Sequence, residues 1–175
     1  MGVYLPRELP TELADYSVCT TWGMQGKDIH LLNVFRKRLD YPDLKRAVQE
    51  QARLWSPNTI LIEDRASGTQ LLQELVREGL PQVAGVKPEG DKVMRMHAQT
   101  AVIENGFVHF PKDAFWLADY VQELTSFPQS KFDDQVDSTA QALAWISEAG
   151  REPGIITYYR ELVAEQERRR AAGLE

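Results

Sequence analysis

The sequence predicts an α/β domain in which a mixed β-sheet is flanked by helices. Two stretches rich in β-branched and aromatic residues, 16–23 and 29–36, are separated by a short segment containing Gly26, which predicts an antiparallel hairpin. After the hairpin, short apolar runs alternate with longer segments whose apolar residues are spaced as in helices. Local pairing followed by β–α–β crossovers is the order expected of a mixed sheet with helices on both faces.

The later elements follow from apolar spacing and from capping residues. A helix is predicted over 41–55, with Pro42 at its start. Gly79 and Gly106 are expected to end two further helices, and Asp91 to cap the second of them. In chain order, the remaining predictions are a buried strand at 58–64, a helix at 67–79, a strand at 82–88, a helix at 91–106, a strand at 107–111, and helices at 114–128 and 133–146.

The chain is predicted to have three parts. Residues 1–14 contain two prolines and no periodicity, which predicts an irregular arm. Residues 15–150 form the predicted domain, and "EAGREPG" at 148–154 marks the boundary to a charged helix within 151–175. A chain of 175 residues is long enough to bury a sizeable core.

Composition restricts the classes of protein to consider. The formal net charge of -6 argues against a protein coated in positive charge for nucleic acid, although a local basic patch can still hold a polyanion. The single cysteine, Cys19, leaves no internal disulfide and fits a reducing cytoplasm. No stretch approaches the roughly 18 consecutive apolar residues of a membrane span, and the N-terminus lacks the pattern of a signal peptide. We therefore expect a soluble, intracellular protein.

The motifs of several common chemistries are absent from the sequence. There is no Gly-rich phosphate loop followed by Lys-Ser or Lys-Thr, so no ATP site is expected in this chain. Three scattered histidines and one cysteine do not give any standard zinc spacing, and no GxSxG elbow is present. Any chemistry must therefore come from carboxylates.

Two groups of carboxylates are candidates. Glu63 and Asp64 close the apolar run "TILIED", where an open α/β sheet presents its ligand-binding edge. Successive strand residues point to opposite faces, so one member of this pair at most faces a given site. The second group is Asp133, Asp134 and Asp137, and in a helix that begins near residue 133 the last two share a face at i, i+3.

The carboxylates have a functional interpretation and several structural ones. Acids held this close repel one another unless a cation lies between them, and oxygen ligands suit Mg²⁺ or Mn²⁺. Two such ions about 4 Å apart can hold the attacking and leaving oxygens of a phosphodiester. Against this, Asp133 is an ordinary helix cap, acids are favourable near a helix N-terminus, and Glu63 with Asp64 suits a turn. The pattern leaves these alternatives open.

Five stretches taken in order resemble the C-terminal nuclease domain of phage terminase large subunits. They are "DYSVCTTWG", "NVFRKRLDYPDLKRAV", "TILIEDRASGTQLLQEL", "VKPEGDKVMRMHAQTAVIENGFVHFP" and "KFDDQVDSTAQALAWI", and the resemblance runs from Asp15 to Ile146. It implies a ribonuclease H-like fold and an endonuclease with a two-ion Mg²⁺ or Mn²⁺ site. It further implies that the substrate is concatemeric viral double-stranded DNA, cut during packaging in the cytoplasm of a bacterial host.

The resemblance also implies roles for individual residues. In the family one acid comes from the first strand, one from the end of the fourth, and one or two from a late helix. Glu63 matches the second acid, and Asp134, with Asp133 or Asp137 beside it, matches the third; these four are the implied catalytic residues, with Glu63, Asp134 and Asp137 as metal ligands. The segment that approaches DNA phosphates carries three cations in this sequence, Lys87, Lys92 and Arg95.

The sequence departs from the family pattern at its start. Family members carry a first strand of the type Ser-Trp-Asp-Thr, whose Asp binds metal, upstream of the stretch that matches "DYSV". Here "MGVYLPRELPTELA" precedes that stretch, and Asp15 matches a later Asp that is not a ligand. We therefore expect the first strand to be missing or replaced, the metal site to lack one ligand, and a gap or exposed edge in the sheet that invites dimerisation or pairing by the N-terminal arm.

Three hypotheses follow for the function. The first is an active metal-dependent DNA endonuclease in which a local acid replaces the missing ligand. The second is a truncated prophage remnant that keeps the fold, is catalytically inactive, and binds DNA or packaging partners. The third is a structural module that recognises portal or small terminase protein. A trimmed chain and a free-standing relative are both compatible with the missing ATPase domain.

Overall fold

The computed structural model describes residues 16–64 and 67–149. The chain divides into two compact units, Met1–Ala142 and Leu143–Glu175, and the contacts discussed below all lie within the first unit. The predicted arm at 1–14 and the predicted helix within 151–175 fall outside the described residues, so both stay predictions.

The described residues form five strands and six helices. In chain order they are β1 (Ser17–Gln25), β2 (Asp28–Lys37), α1 (Tyr41–Trp55), β3 (Ile60–Glu63), α2 (Ser67–Arg77), β4 (Val83–Val86), α3 (Lys92–His97), α4 (Thr100–Glu104), β5 (Val108–His109), α5 (Leu117–Ser126) and α6 (Asp134–Ala149).

The first sheet confirms the predicted hairpin. Strands β1 and β2 pair in antiparallel register from Ser17 opposite Lys37 to Gln25 opposite Asp28. The tight turn between them uses Gly26 at a φ of 63°, a left-handed conformation that a residue without a Cβ adopts without strain. The short strand β5 joins β2 on its other side in parallel, so the order of this sheet is β1-β2-β5.

A second sheet pairs β3 with β4 in parallel, from Ile60 opposite Val83 to Glu63 opposite Val86. The predicted fold class, an α/β domain with a sheet flanked by helices, is confirmed, although the strands of the described ranges are divided between two sheets. The prediction that β3 is a buried strand is wrong, because each of its four residues is half-buried. Among the described residues β3 has a hydrogen-bonded neighbour on one side only, which leaves its apolar side chains partly uncovered.

One predicted helix is two helices in the structure. The segment expected to be helical over 91–106 forms α3 and α4, with a break at Ala98 and Gln99. The predicted cap is confirmed, since the Asp91 carboxylate accepts a hydrogen bond of 2.8 Å from the Met94 backbone N–H. The break arises because the Gln99 N–H donates to the Met96 carbonyl three residues back and the Thr100 hydroxyl donates to the backbone carbonyl of His97.

The core of the first unit lies between β2 and α5. Leu31 and Val34 of β2 pack with Tyr120 of α5, whose side chain is fully buried. The Tyr120 hydroxyl lies 2.7 Å from the Thr139 hydroxyl, which itself donates to the Gln135 backbone carbonyl, so Tyr120 is the donor. Burial raises the pKa of Tyr120, which keeps this donor protonated. The bond ties α5 to α6.

A buried carboxylate from α5 fixes the start of α6. Glu123, with 6% of its surface exposed, accepts a 2.7 Å hydrogen bond from the Gln135 backbone N–H and a 2.6 Å bond from the Gln135 side-chain amide. The guanidinium of Arg36 lies 3.4 Å from the same carboxylate. Glu123 therefore caps an N–H that the first turn of a helix leaves without a partner, and its own charge is offset by the helix dipole and by Arg36.

We predict that Glu123→Gln destabilises the domain more than Tyr120→Phe does. The first change removes charge-assisted hydrogen bonds and leaves Arg36 without its carboxylate, at a cost of about 2–3 kcal/mol. The second removes one neutral hydrogen bond between the same two helices, at a cost of about 1 kcal/mol. Urea unfolding of both variants at neutral pH measures the two costs, and an equal or smaller loss for Glu123→Gln would contradict the capping role.

Candidate active site

One face of α6 carries the predicted site residues to both sheets. Asp134, Asp137 and Gln141 recur at spacings of three and four and share this face with Ser138. The Ser138 hydroxyl forms a 2.8 Å hydrogen bond with the hydroxyl of Thr20 on β1. On the next turn, the Gln141 amide donates a 3.3 Å hydrogen bond to the Glu63 carboxylate at the end of β3. The helix thus brings Glu63 to the face that presents Asp134 and Asp137.

The two acids that close β3 have different surroundings. Glu63 contacts α6, whereas the Asp64 carboxylate accepts a 2.6 Å hydrogen bond from the Thr69 hydroxyl in the first turn of α2. Lys87 lies 3.9 Å from Asp64 and is 80% exposed. These contacts agree with the expectation that the pair points to opposite sides of the strand, and they give Asp64 a structural role at the start of α2.

A glycine makes the approach of α2 to Glu63 possible. A Cβ added to Gly68 would lie 1.9 Å from the backbone carbonyl oxygen of Glu63, far closer than two such atoms can approach. The first turn of α2 can therefore approach the end of β3 this closely only because position 68 has no side chain. This role of Gly68 was not predicted from the sequence, although a glycine soon after the apolar run "TILIED" is typical of a close approach between two backbone segments.

Two of the predicted acids are held by two of the predicted DNA-binding cations. The Lys92 ammonium lies 2.7 Å from the Asp133 carboxylate and 2.9 Å from that of Asp137. The Arg95 guanidinium lies 2.7 Å from the other oxygen of Asp137 and also donates to the Gly90 backbone carbonyl. The helix α3 thus lies against the start of α6 through ion pairs.

The Lys92 ammonium remains charged in these contacts. Partial burial lowers the pKa of Lys92, but the hydrogen bonds and charges of Asp133 and Asp137 outweigh it, so the pKa of Lys92 is raised above its ordinary value. Asp137 and Arg95 are largely buried, with 18% and 17% of their side chains exposed, whereas Lys92 is 47% exposed. Lys92 is therefore the partner of Asp137 that can leave at the lower cost.

The acids have the chemistry that a divalent metal ion requires, but the described residues do not gather three of them around one position. Carboxylate oxygens such as those of Glu63, Asp134 and Asp137 are the ligands that Mg²⁺ and Mn²⁺ prefer. Within residues 16–64 and 67–149, however, no group of three or more His, Cys, Asp or Glu side chains is arranged to hold an ion. Glu63, Asp134 and Asp137 are therefore candidate ligands by their chemistry, and their arrangement within the described residues does not by itself form a metal site.

None of the helices in residues 16–64 and 67–149 combines the length and the apolar character that crossing a bilayer requires.

Comparison with known proteins gives one match, which covers most of the chain. The family described as the terminase RNaseH-like domain matches residues 10–145, a range that includes β1, α6 as far as residue 145, and every element between them. No curated protein matches the chain. The family match supports a nuclease role in DNA packaging at the level of the family, whose domains generally depend on divalent metal ions. The resemblance and the predicted ribonuclease H-like fold are thereby confirmed, and the chain belongs to the terminase RNaseH-like domain family.

Proposed function

We propose that this chain is the endonuclease domain of a viral DNA-packaging terminase and cuts concatemeric double-stranded DNA with the help of Mg²⁺ or Mn²⁺. The observation that carries the proposal is the contact between Gln141 and Glu63. It brings the acid at the end of β3 to the helix face of Asp134 and Asp137, which is the pairing of strand-end and late-helix acids that the resemblance implies.

The roles of the individual side chains follow from their positions. Glu63, Asp134 and Asp137 are the proposed metal ligands, and bound ions would stabilise the charge that develops on a phosphodiester during its hydrolysis. Asp133 is a weaker candidate, since it precedes the first residue of α6 and 36% of its side chain is exposed. Because residues 16–64 and 67–149 contain no group of three such side chains arranged to hold an ion, ion binding would require these acids to move closer together or to be joined by a further ligand.

Lys92 is proposed to compete with the ion for the acids of α6. Its ammonium contacts Asp133 and Asp137 at the same time, so it provides the compensating positive charge that a divalent ion would otherwise provide. A cation on a flexible, half-exposed side chain can withdraw into solvent, whereas Arg95 is tied to the Gly90 carbonyl as well as to Asp137. Lys87, which is more exposed than either, is the member of the predicted DNA-binding set that is most accessible to a ligand.

We expect Lys92→Met to make the fold more dependent on divalent ions. Without the ammonium, the carboxylates of Asp133 and Asp137 repel each other with less compensating positive charge. This should lower the free energy of unfolding in the absence of metal by at most about 1 kcal/mol, as for other exposed ion pairs. Manganese should then raise the Tm of this variant more than that of the wild type.

Thermal unfolding with and without MnCl₂ measures this difference. Lys112→Met is the matched control, since Lys112 is exposed and forms no ion pair with the other described residues. Equal stabilisation of Lys92→Met and wild type by manganese would contradict the competition.

A second candidate function is favoured by the same ion pairs. With Lys92 and Arg95 already compensating Asp133 and Asp137, the acids need no metal ion to remain together. This suits a domain that keeps the fold without catalysis and binds DNA, portal or small terminase protein. The two candidates differ in whether the purified chain cuts DNA.

Plasmid nicking in parallel with Mn²⁺, Mg²⁺ and EDTA separates the two candidates. An active domain should cut with metal only, and Asp134→Ala and Glu63→Ala should each abolish cutting while the fold is retained. The matched control is Asp119→Ala, which removes an exposed acid from the first turn of α5 instead of α6. Cutting that survives Asp134→Ala would refute the site assignment, and a folded wild type that never cuts would favour the inactive candidate.

A further inference from the structure

A group of cations and aromatic rings is formed by residues just before β1, at the end of β2 and just before α6. The Tyr16 and Phe132 rings meet edge to face with their centroids 5.1 Å apart. The guanidinium carbons of Arg36 and Arg38 lie 4.0 Å and 4.6 Å from the centre of the Tyr16 ring. The Lys131 ammonium lies 5.1 Å from the centre of the Phe132 ring. These five residues are called the cation–aromatic patch below.

The outer cations of the patch have no acidic partner among the described residues. Arg36 is paired with Glu123, but Arg38 and Lys131 form no ion pair with any carboxylate of residues 16–64 and 67–149, and both are exposed. The cations first predicted to contact DNA differ in this respect, since Lys92 is bound to acids. In a chain with a net charge of -6, attraction of a polyanion must depend on local positive charge of this kind.

We infer that the cation–aromatic patch binds the phosphate backbone of double-stranded DNA. This inference rests on the proposal that the chain acts on DNA, and it names the surface that would hold the substrate beside the site. The guanidinium of Arg38 offers several donors to one phosphate, and Lys131 acts as a point charge for another.

The rings favour binding of phosphate over stacking of a base. The Tyr16 ring is contacted by two guanidinium groups and by the edge-to-face contact with Phe132, which makes it less accessible to a base. Contacts between cations and rings are weakly favourable at exposed sites, and they restrict the rotamers of Arg38 and Lys131 before a ligand arrives. The patch therefore presents two partly ordered positive charges.

The position of the patch relates it to the candidate active site. Lys131 precedes Asp134 by three residues, which limits the separation of their Cα atoms to about 11 Å. A DNA strand that contacts Lys131 therefore passes close to the first turn of α6. An acidic protein could meet the same charges, but the family's nuclease role makes the phosphate backbone the favoured ligand.

Binding of a labelled DNA duplex in EDTA, followed by fluorescence anisotropy across a salt series, tests this inference without cleavage. The test variant is Arg38→Gln with Lys131→Gln. The control is Lys27→Gln with Lys112→Gln, which removes two exposed cations that have no ring contact, and changes the net charge equally. We expect the test variant to lose about tenfold or more in affinity and its salt slope to shrink by about 2, while the control keeps the wild-type slope.

Several results would overturn the inference. Wild-type affinity in the test variant, equal losses in the test and control variants, or no duplex binding by the wild type would each do so. Competition by a poly-glutamate peptide as effective as that by unlabelled duplex would assign the patch to acidic proteins instead. If the wild type cuts plasmid but the test variant binds duplex normally, this inference is overturned and the proposed endonuclease activity is not. If the wild type binds duplex through the patch but never cuts plasmid, this inference is supported and the proposed endonuclease activity is not.

Discussion

The buried carboxylate of Glu123 is the contact on which the position of α6 depends. A carboxylate that loses water costs several kcal/mol unless it is fully hydrogen-bonded and its charge is offset. Here the backbone and side chain of Gln135 supply two short bonds and Arg36 supplies the opposite charge. Because Gln135 directly follows Asp134, the same contact fixes the direction in which the first turn of α6 presents its acids. The link to β3 through Gln141 and Glu63 then follows from the helical repeat.

Two kinds of cation lie near the first turn of α6, one from α3 and one from the segment just before the helix. Lys92 from α3 compensates Asp133 and Asp137 directly. Lys131, just before the helix, lies over an aromatic ring and pairs with no carboxylate of residues 16–64 and 67–149. The first kind of cation keeps the acids together and, in the proposed function, competes with a metal ion for them. The second kind leaves its charge available to a phosphate. Both arrangements suit the proposed function, in which paired acids remain close without an ion and a polyanionic substrate is attracted by the unpaired charge.

The parts of the fold that depend on local sequence could be predicted. The hairpin, helix α1 and the Asp91 cap follow from periodicity and from side chains that act within a few residues of themselves, and the structure has them where the sequence places them. The cap from Glu123 could not be predicted from the residues near α6, because its partner is twelve residues away in another helix. Its signal was weak but present: Glu123 follows Tyr120 by three residues, at a position of α5 that should be apolar. The half-burial of β3 depends on neighbouring strands, which spacing does not reveal.

Anomalous diffraction at the manganese edge, from crystals of this protein grown with MnCl₂, is the most direct test of the site. We expect an anomalous peak between Glu63 and the acids of α6, with the Lys92 ammonium moved away from Asp137. Manganese bound elsewhere, or an α6 whose acids remain paired with Lys92 and Arg95 and bind no ion in the presence of manganese, would contradict the assignment of this helix face as the metal site.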